Sequence, residues 1–225
     1  MAGTAAERTR STICAVASAP GAGERAVVRA SGPQALEAVR GLCRDAEGQP
    51  LAPPGRGLYE VQVDDGVGVQ PALLVWMPGP GSYTREDVAE WHLVGNPALV
   101  RAVLRRLGEL GVEPAGPGEF TRRAFENGRL DLTRAEGVLA LVEARNSEEL
   151  RAAGSLLAGG LGGRIAALRE VLEHLRALTE ASLDFDQQDT GHVPLEEITA
   201  ALEKARADLL EARTWESRRT PASGL

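Results

Sequence analysis

Every strand-like stretch of this sequence lies before Gly118, and nearly everything after it carries helical periodicity. That partition limits the chain to an α/β half followed by a helical half, and rules out an even alternation of strands and helices along the whole length. In the first half, "TICAVAS" and "RAVVRA" are β-type runs around the loop "APGAGE". Ala35, Leu36, Val39 and Leu42 recur at helical spacing after Ser31 and Pro33. "LYEVQVDDGVGVQPALLVWM" reads as two strands joined through "DDG", with an exit at "PGPGS". "REDVAEWHLVG" starts extended and is ambiguous between the two states. "NPALVRAVLRRLGELG" is a helix with Asn96 as N-cap, Pro97 at the first helical position and Gly111 ending it.

The second half opens with "PGEFTRRAFENGRLDLTRAEGV". "EFTRRAFE" forms a short helix that stops at Asn127-Gly128, and Thr133 with Glu136 reads as a capping box for the next helix. Within "AAGSLLAGGLGGRIAAL" five glycines each cost about 1 kcal/mol relative to alanine in a helix. The pattern predicts a break there. Asp184, Asp186 and Asp189 crowd a second break, and Pro194 restarts a helix expected to reach Arg213.

Composition narrows the functional classes. The formal net charge is -7, so a general electrostatic grip on nucleic acid is not expected. Cys14 and Cys43 are too few for a disulfide framework and fit a reducing cytosol. No apolar run has membrane-spanning length, and the first residues lack the apolar stretch of a signal peptide. The P-loop pattern needs a Gly-Lys pair, whereas the only lysine, Lys204, follows Glu203. His92, His174 and His192 are scattered without zinc spacing, so no metal site and no catalytic constellation is assigned. In the opening stretch of the second half, Glu119 can pair with Arg122 or Arg123 as plain helix chemistry, and Arg129 sits on a ledge from which an arginine can present a fork to a carboxylate.

"TICAVASAPGAGERAVVRASGP", "PGPGSYTREDVAEWH", "PGEFTRRAFENGRLDLTRAEGV" and "ASLDFDQQD" stand in the order seen in the tRNA modification GTPase family MnmE, also called TrmE, which this chain resembles from about Thr12 to Arg213. The resemblance implies an α+β fold: an α/β tetrahydrofolate-binding and dimerisation domain over residues 1–118, the first half of a helical domain over 119–213, and a linker over 214–225 towards a G domain. It implies a cytoplasmic homodimer that acts with a flavin-dependent partner of the MnmG (GidA) type on carbon 5 of the tRNA wobble uridine. The folate is a 5-formyl- or 5,10-methylene-tetrahydrofolate. GTP, potassium and magnesium belong to the G domain of the full-length family protein. By position, the family's folate contacts fall on Arg29, Glu90 and Arg129. Two departures stand out: the family's usual "PPGRGGIGIVRISGP" is here "APGAGERAVVRASGP", and the usual "HGGP" is "VGNP". Two further readings remain open, a stand-alone folate-binding protein and a dimerising scaffold without ligand.

Overall fold

A computed structural model describes residues 11–66, 68–184 and 194–217, and the chain divides into two compact units, 1–130 and 131–225. The first unit holds a seven-stranded sheet. Its strands are β1 (Ile13–Val16), β2 (Gly23–Ser31), β3 (Cys43–Arg44), β4 (Gly57–Asp64), β5 (Val69–Met77), β6 (Val88–Gly95) and β7 (Glu113–Pro114). Their spatial order is β3-β4-β5-β6-β2-β1-β7, antiparallel throughout except for the parallel β1–β7 pair.

The ambiguous "REDVAEWHLVG" is resolved as the central strand β6, paired with β5 on one side and β2 on the other. Its side chains alternate. Ala89, Trp91 and Leu93 are buried on one face, while Glu90 and His92 point to the other. β2 alternates in step, with Ala26, Val28 and Ala30 buried and Val27 and Arg29 opposite. The buried face packs with Val39 and Leu42 of α1 (Ala35–Leu42) and Val103 and Leu107 of α2 (Pro97–Glu109) into one core. Burying one side chain of this size contributes about 1.5–3 kcal/mol, so this layer carries most of the unit's stability. Trp91 donates its indole N–H to the Cys43 Sγ at 3.0 Å, which gives a fully buried ring a partner for its polar atom.

The helix ends follow their local chemistry. Asn96 accepts from the N–H groups of Ala98 and Leu99 and caps α2, so the departure to "VGNP" places a good capping side chain there. α1 has no side-chain cap of its own; Thr12 Oγ1 accepts from the Gln34 N–H at 2.7 Å instead. Gly32, at φ +138°, lets the chain pass this point, because a Cβ there would lie 2.7 Å from the Thr12 Cα.

The boundary expected at 118 falls later. Helix α3 (Glu119–Glu126) belongs to the first unit, because its Arg123 is buried among that unit's groups. The expected stop is observed, with Asn127 as C-cap and Gly128 at φ +69°.

The second unit is helical: α4 (Leu132–Glu143), α5 (Ser147–Leu157), α6 (Gly160–Asp184) and α7 (Leu195–Ser217). The expected Thr133–Glu136 capping box does not form. Asp131 starts α4 instead, accepting from the Arg134 N–H at 2.8 Å, so Thr133 already lies inside the first turn. The break in the glycine run is present between α5 and α6, at Ala158 and Gly159, the latter at φ +78°. α4 and α5 approach closely at Gly137, where a Cβ would meet the Leu156 Cβ at 2.9 Å. On α4, Leu139 and Val142 are 59 % and 78 % exposed. α7 continues past Arg213 to Ser217. Asp186, Asp189, His192 and the last eight positions of the sequence reading's linker, 218–225, lie outside the described residues.

Candidate functional site

The face of the sheet opposite the core carries the candidate site. Arg29 of β2 and Glu90 of β6 are directly opposed in the antiparallel register, where side chains on one face meet. Arg29 Nε donates to Glu90 Oε1 at 2.6 Å, and the two side chains are 33 % and 17 % exposed. Phe120 of α3 lies under the Arg29 guanidinium, 5.7 Å from ring centroid to Cζ, a cation–π contact that fixes the fork from below. The terminal nitrogens of Arg29 have no protein hydrogen-bond partner among the described residues. The pair therefore offers an acceptor and several donors side by side.

His92, two residues along β6 and on the same face, places Nε2 3.6 Å from Glu90 Oε2. Neither of its ring nitrogens has a hydrogen-bond partner, although both are buried. A groove of about 520 Å³ continues from His92, lined by Glu24, Arg25, Glu60, Leu73 and Val94. It lies next to the Arg29–Glu90 pair and includes neither residue. Leu58, Val69 and Val94 on this face are 63 %, 57 % and 57 % exposed. Glu24, Arg25 and Val94 are among the residues by which the two motifs depart from the family pattern, so this chain has its own lining there.

Arg129 follows the Asn127-Gly128 turn, is exposed, and makes no side-chain hydrogen bond or ion pair among the described residues. The structure thus brings Arg29 and Glu90 together, and it does not bring Arg129 into contact with either. Glu119 pairs with both arginines that the sequence offered it, Arg123 at 3.2 Å and Arg122 at 3.7 Å.

Sequence reasoning missed how much of "EFTRRAFEN" holds the loop 78–87 in place. Arg123 is fully buried. Its Nη1 donates to the Ser11 carbonyl at 2.7 Å and to both Glu86 carboxylate oxygens at 3.3 Å, while Nη2 reaches Glu119. Glu86 also accepts from the Ser31 hydroxyl at 2.6 Å, and the Ser31 Oγ lies 2.7 Å from the Thr84 Oγ1. Asn127 Nδ2 donates to the Thr84 carbonyl at 2.6 Å. The i, i+4 spacing of Glu119 and Arg123 was the only local signal; the partners from Ser11, Ser31 and Glu86 are distant in sequence. His92 was equally hidden, since only the register on β6 sets it beside Glu90.

Among the described residues, no cluster of three His, Cys, Asp or Glu could hold a metal ion, and no helix is long and apolar enough to cross a membrane. Burial pushes the Cys14 thiol up to about 11 and the Cys43 thiol up to about 12.

The first unit thus carries a half-buried ion pair on an open sheet face and a helix clamped by a buried arginine, and a helical unit follows it in the chain. Residues 12–129 match the family described as GTP-binding protein TrmE N-terminus, and residues 132–220 match the MnmE helical domain. The chain belongs to the MnmE family of tRNA modification GTPases. It is similar to the tRNA modification GTPase MnmE of Halorhodospira halophila, with 44 % identity over 202 residues covering 90 % of this chain and 42 % of that protein. Against the MnmE proteins of Phenylobacterium zucineum and Myxococcus xanthus the identity is 43 % in each case. The matches cover 88 % and 92 % of this chain and 45 % and 47 % of those proteins. The chain therefore spans less than half the length of these curated relatives.

Proposed function

We propose that this chain is the folate-binding, dimer-forming portion of a tRNA-modification GTPase. The observation that carries the proposal is the Arg29–Glu90 pair on the open sheet face. One oxygen of Glu90 is held by Arg29, yet a carboxylate oxygen has two lone-pair directions, so both oxygens can still accept from the amino-imino edge of a pterin. The free terminal nitrogens of Arg29 then match an acceptor on the same ring system. Arg129 supplies a cation for the carboxylates of the folate tail. A 5-formyl- or 5,10-methylene-tetrahydrofolate, when bound, supplies the one-carbon unit. The side chains named here hold and orient it.

In this reading the portion forms a cytoplasmic homodimer and works with a flavin-dependent MnmG-type partner. That complex presents the tRNA, whose wobble uridine is modified at carbon 5. GTP hydrolysis, with its potassium and magnesium, resides in a G domain outside this sequence.

Calorimetric titration with 5-formyl-tetrahydrofolate tests the site. Glu90→Gln keeps the shape but replaces one acceptor with a donor, and loss of a charge-assisted hydrogen bond corresponds to about a ten- to hundredfold weaker affinity. Arg106→Ala, on the core side of the sheet, leaves binding unchanged. If Glu90→Gln binds as tightly as the parent while Arg106→Ala weakens binding, the site is misplaced. A scaffold reading explains Arg29 and Glu90 as a pair that merely satisfies itself; no saturable folate binding by the parent chain would select it.

A further inference from the structure

We infer that Arg85 acts with Arg129 as a second cation for the tail of the folate, so that this chain selects folates by the number of glutamates they carry. The inference rests on the folate reading above. Arg85 is the one non-glycine residue with positive φ among the described residues, at φ +62°. An L-residue with a long side chain is strained in this left-handed conformation, where glycine is at ease. Strained residues of this kind concentrate at ligand-binding positions.

The loop and the turn hold each other. Thr84 O accepts from Asn127 Nδ2 at 2.6 Å, and Arg85 Nη1 donates to the Asn127 carbonyl at 3.1 Å. The same guanidinium nitrogen stands 3.6 Å from where a Cβ on Gly128 would lie. The Cα of Arg129 is one residue on, about 3.8 Å from that of Gly128. The Arg85 guanidinium, reaching over from the loop, therefore lies beside the turn from which the Arg129 side chain starts.

Neither is neutralised. The carboxylates of the loop and of α3 are already engaged: Glu86 by Arg123 and Ser31, Asp87 by the Gly79 N–H, Glu119 by Arg123 and the Gly116 N–H, and Glu126 by Arg122. Arg85 and Arg129, both exposed, have no carboxylate partner among the described residues. The turn is also tied to the candidate site. Ser31, whose hydroxyl meets Thr84, stands two residues beyond Arg29 on β2, about 7 Å at the rise of a strand. A ligand with its ring at Glu90 and an anionic chain leading away along this edge meets the two cations in turn. Each further glutamate adds a carboxylate that they can pair.

The test measures the affinity of the purified 225-residue chain for 5-formyl-tetrahydrofolate carrying one glutamate and three. The triglutamate should bind about three- to tenfold more tightly at low ionic strength, and the ratio should fall as salt rises, as for exposed ion pairs. Arg85→Gly should remove most of that ratio while changing monoglutamate affinity by less than about twofold. Its thermal midpoint should equal or exceed the parent's, because glycine relieves the strain. Arg85→Asn, which tolerates the left-handed region and carries no charge, should reproduce the binding result. Equal affinity of the parent for both folates overturns the inference and leaves the folate site standing. So does a ratio that Arg85→Gly and Arg85→Asn leave untouched. If the parent binds neither folate, the folate reading and this inference fall together.

Discussion

Arg123→Ala tests whether the junction helix is part of the first unit by energy as well as by position. The Arg123 side chain is 0 % exposed, and Glu86 and Glu119, its two carboxylate partners, are 14 % and 16 % exposed. Removing the guanidinium leaves the largely buried Glu86 without a cation and Glu119 with only Arg122 at 3.7 Å, and takes this donor from the Ser11 carbonyl. Breaking one side of a buried pair costs about 3–5 kcal/mol, mostly because the surviving charge stays buried and unpaired. The neighbouring Arg122 is a control of the same residue type. Its side chain is 38 % exposed and pairs with Glu126 at 2.8 Å on the helix surface, so Arg122→Ala should cost no more than about 1 kcal/mol. Urea unfolding followed by tryptophan emission reads the difference. In a Trp215→Phe background the signal comes from Trp76 and Trp91, both buried in the first unit. A loss of under about 1 kcal/mol for Arg123→Ala, equal to that for Arg122→Ala, would refute the argument that the buried network anchors α3.

Three further outcomes are expected. The chain should show no saturable micromolar affinity for a GTP analogue in calorimetry, since its only lysine follows Glu203 and no Gly-Lys phosphate loop exists. It should behave as a dimer through the first unit, and light scattering that returns a monomer mass across a tenfold dilution series would count against this. The thiols of Cys14 and Cys43, raised to about 11 and about 12 by burial, should react with a disulfide reagent at pH 8 only on unfolding. Because the folded values lie above the unfolded one, the contribution of these thiols to stability is complete below about pH 8.5 and is lost as pH rises through about 11 to 12. A denaturation midpoint that rises over that window would contradict the sign.

The sequence by itself determined the partition into a sheet half and a helical half, the Asn96 cap, the stop at Asn127-Gly128 and the break in the glycine run. Each of these rests on interactions within a few residues, which composition and spacing encode directly. The family motifs also pointed to Arg29 and Glu90. Local reasoning misjudged the start of α4, because Asp131 and Thr133 are both competent caps and Asp131 comes first along the chain. Only the tertiary structure decided that Arg123 is a buried clamp and Arg122 a surface residue. These neighbours differ only in which side of α3 meets Ser11, Ser31 and Glu86. It also decided that His92 stands beside Glu90, and that Arg85 leans over the turn before Arg129. Those placements come from strand register and loop closure between segments far apart in sequence, and no local pattern of residue types carries that information.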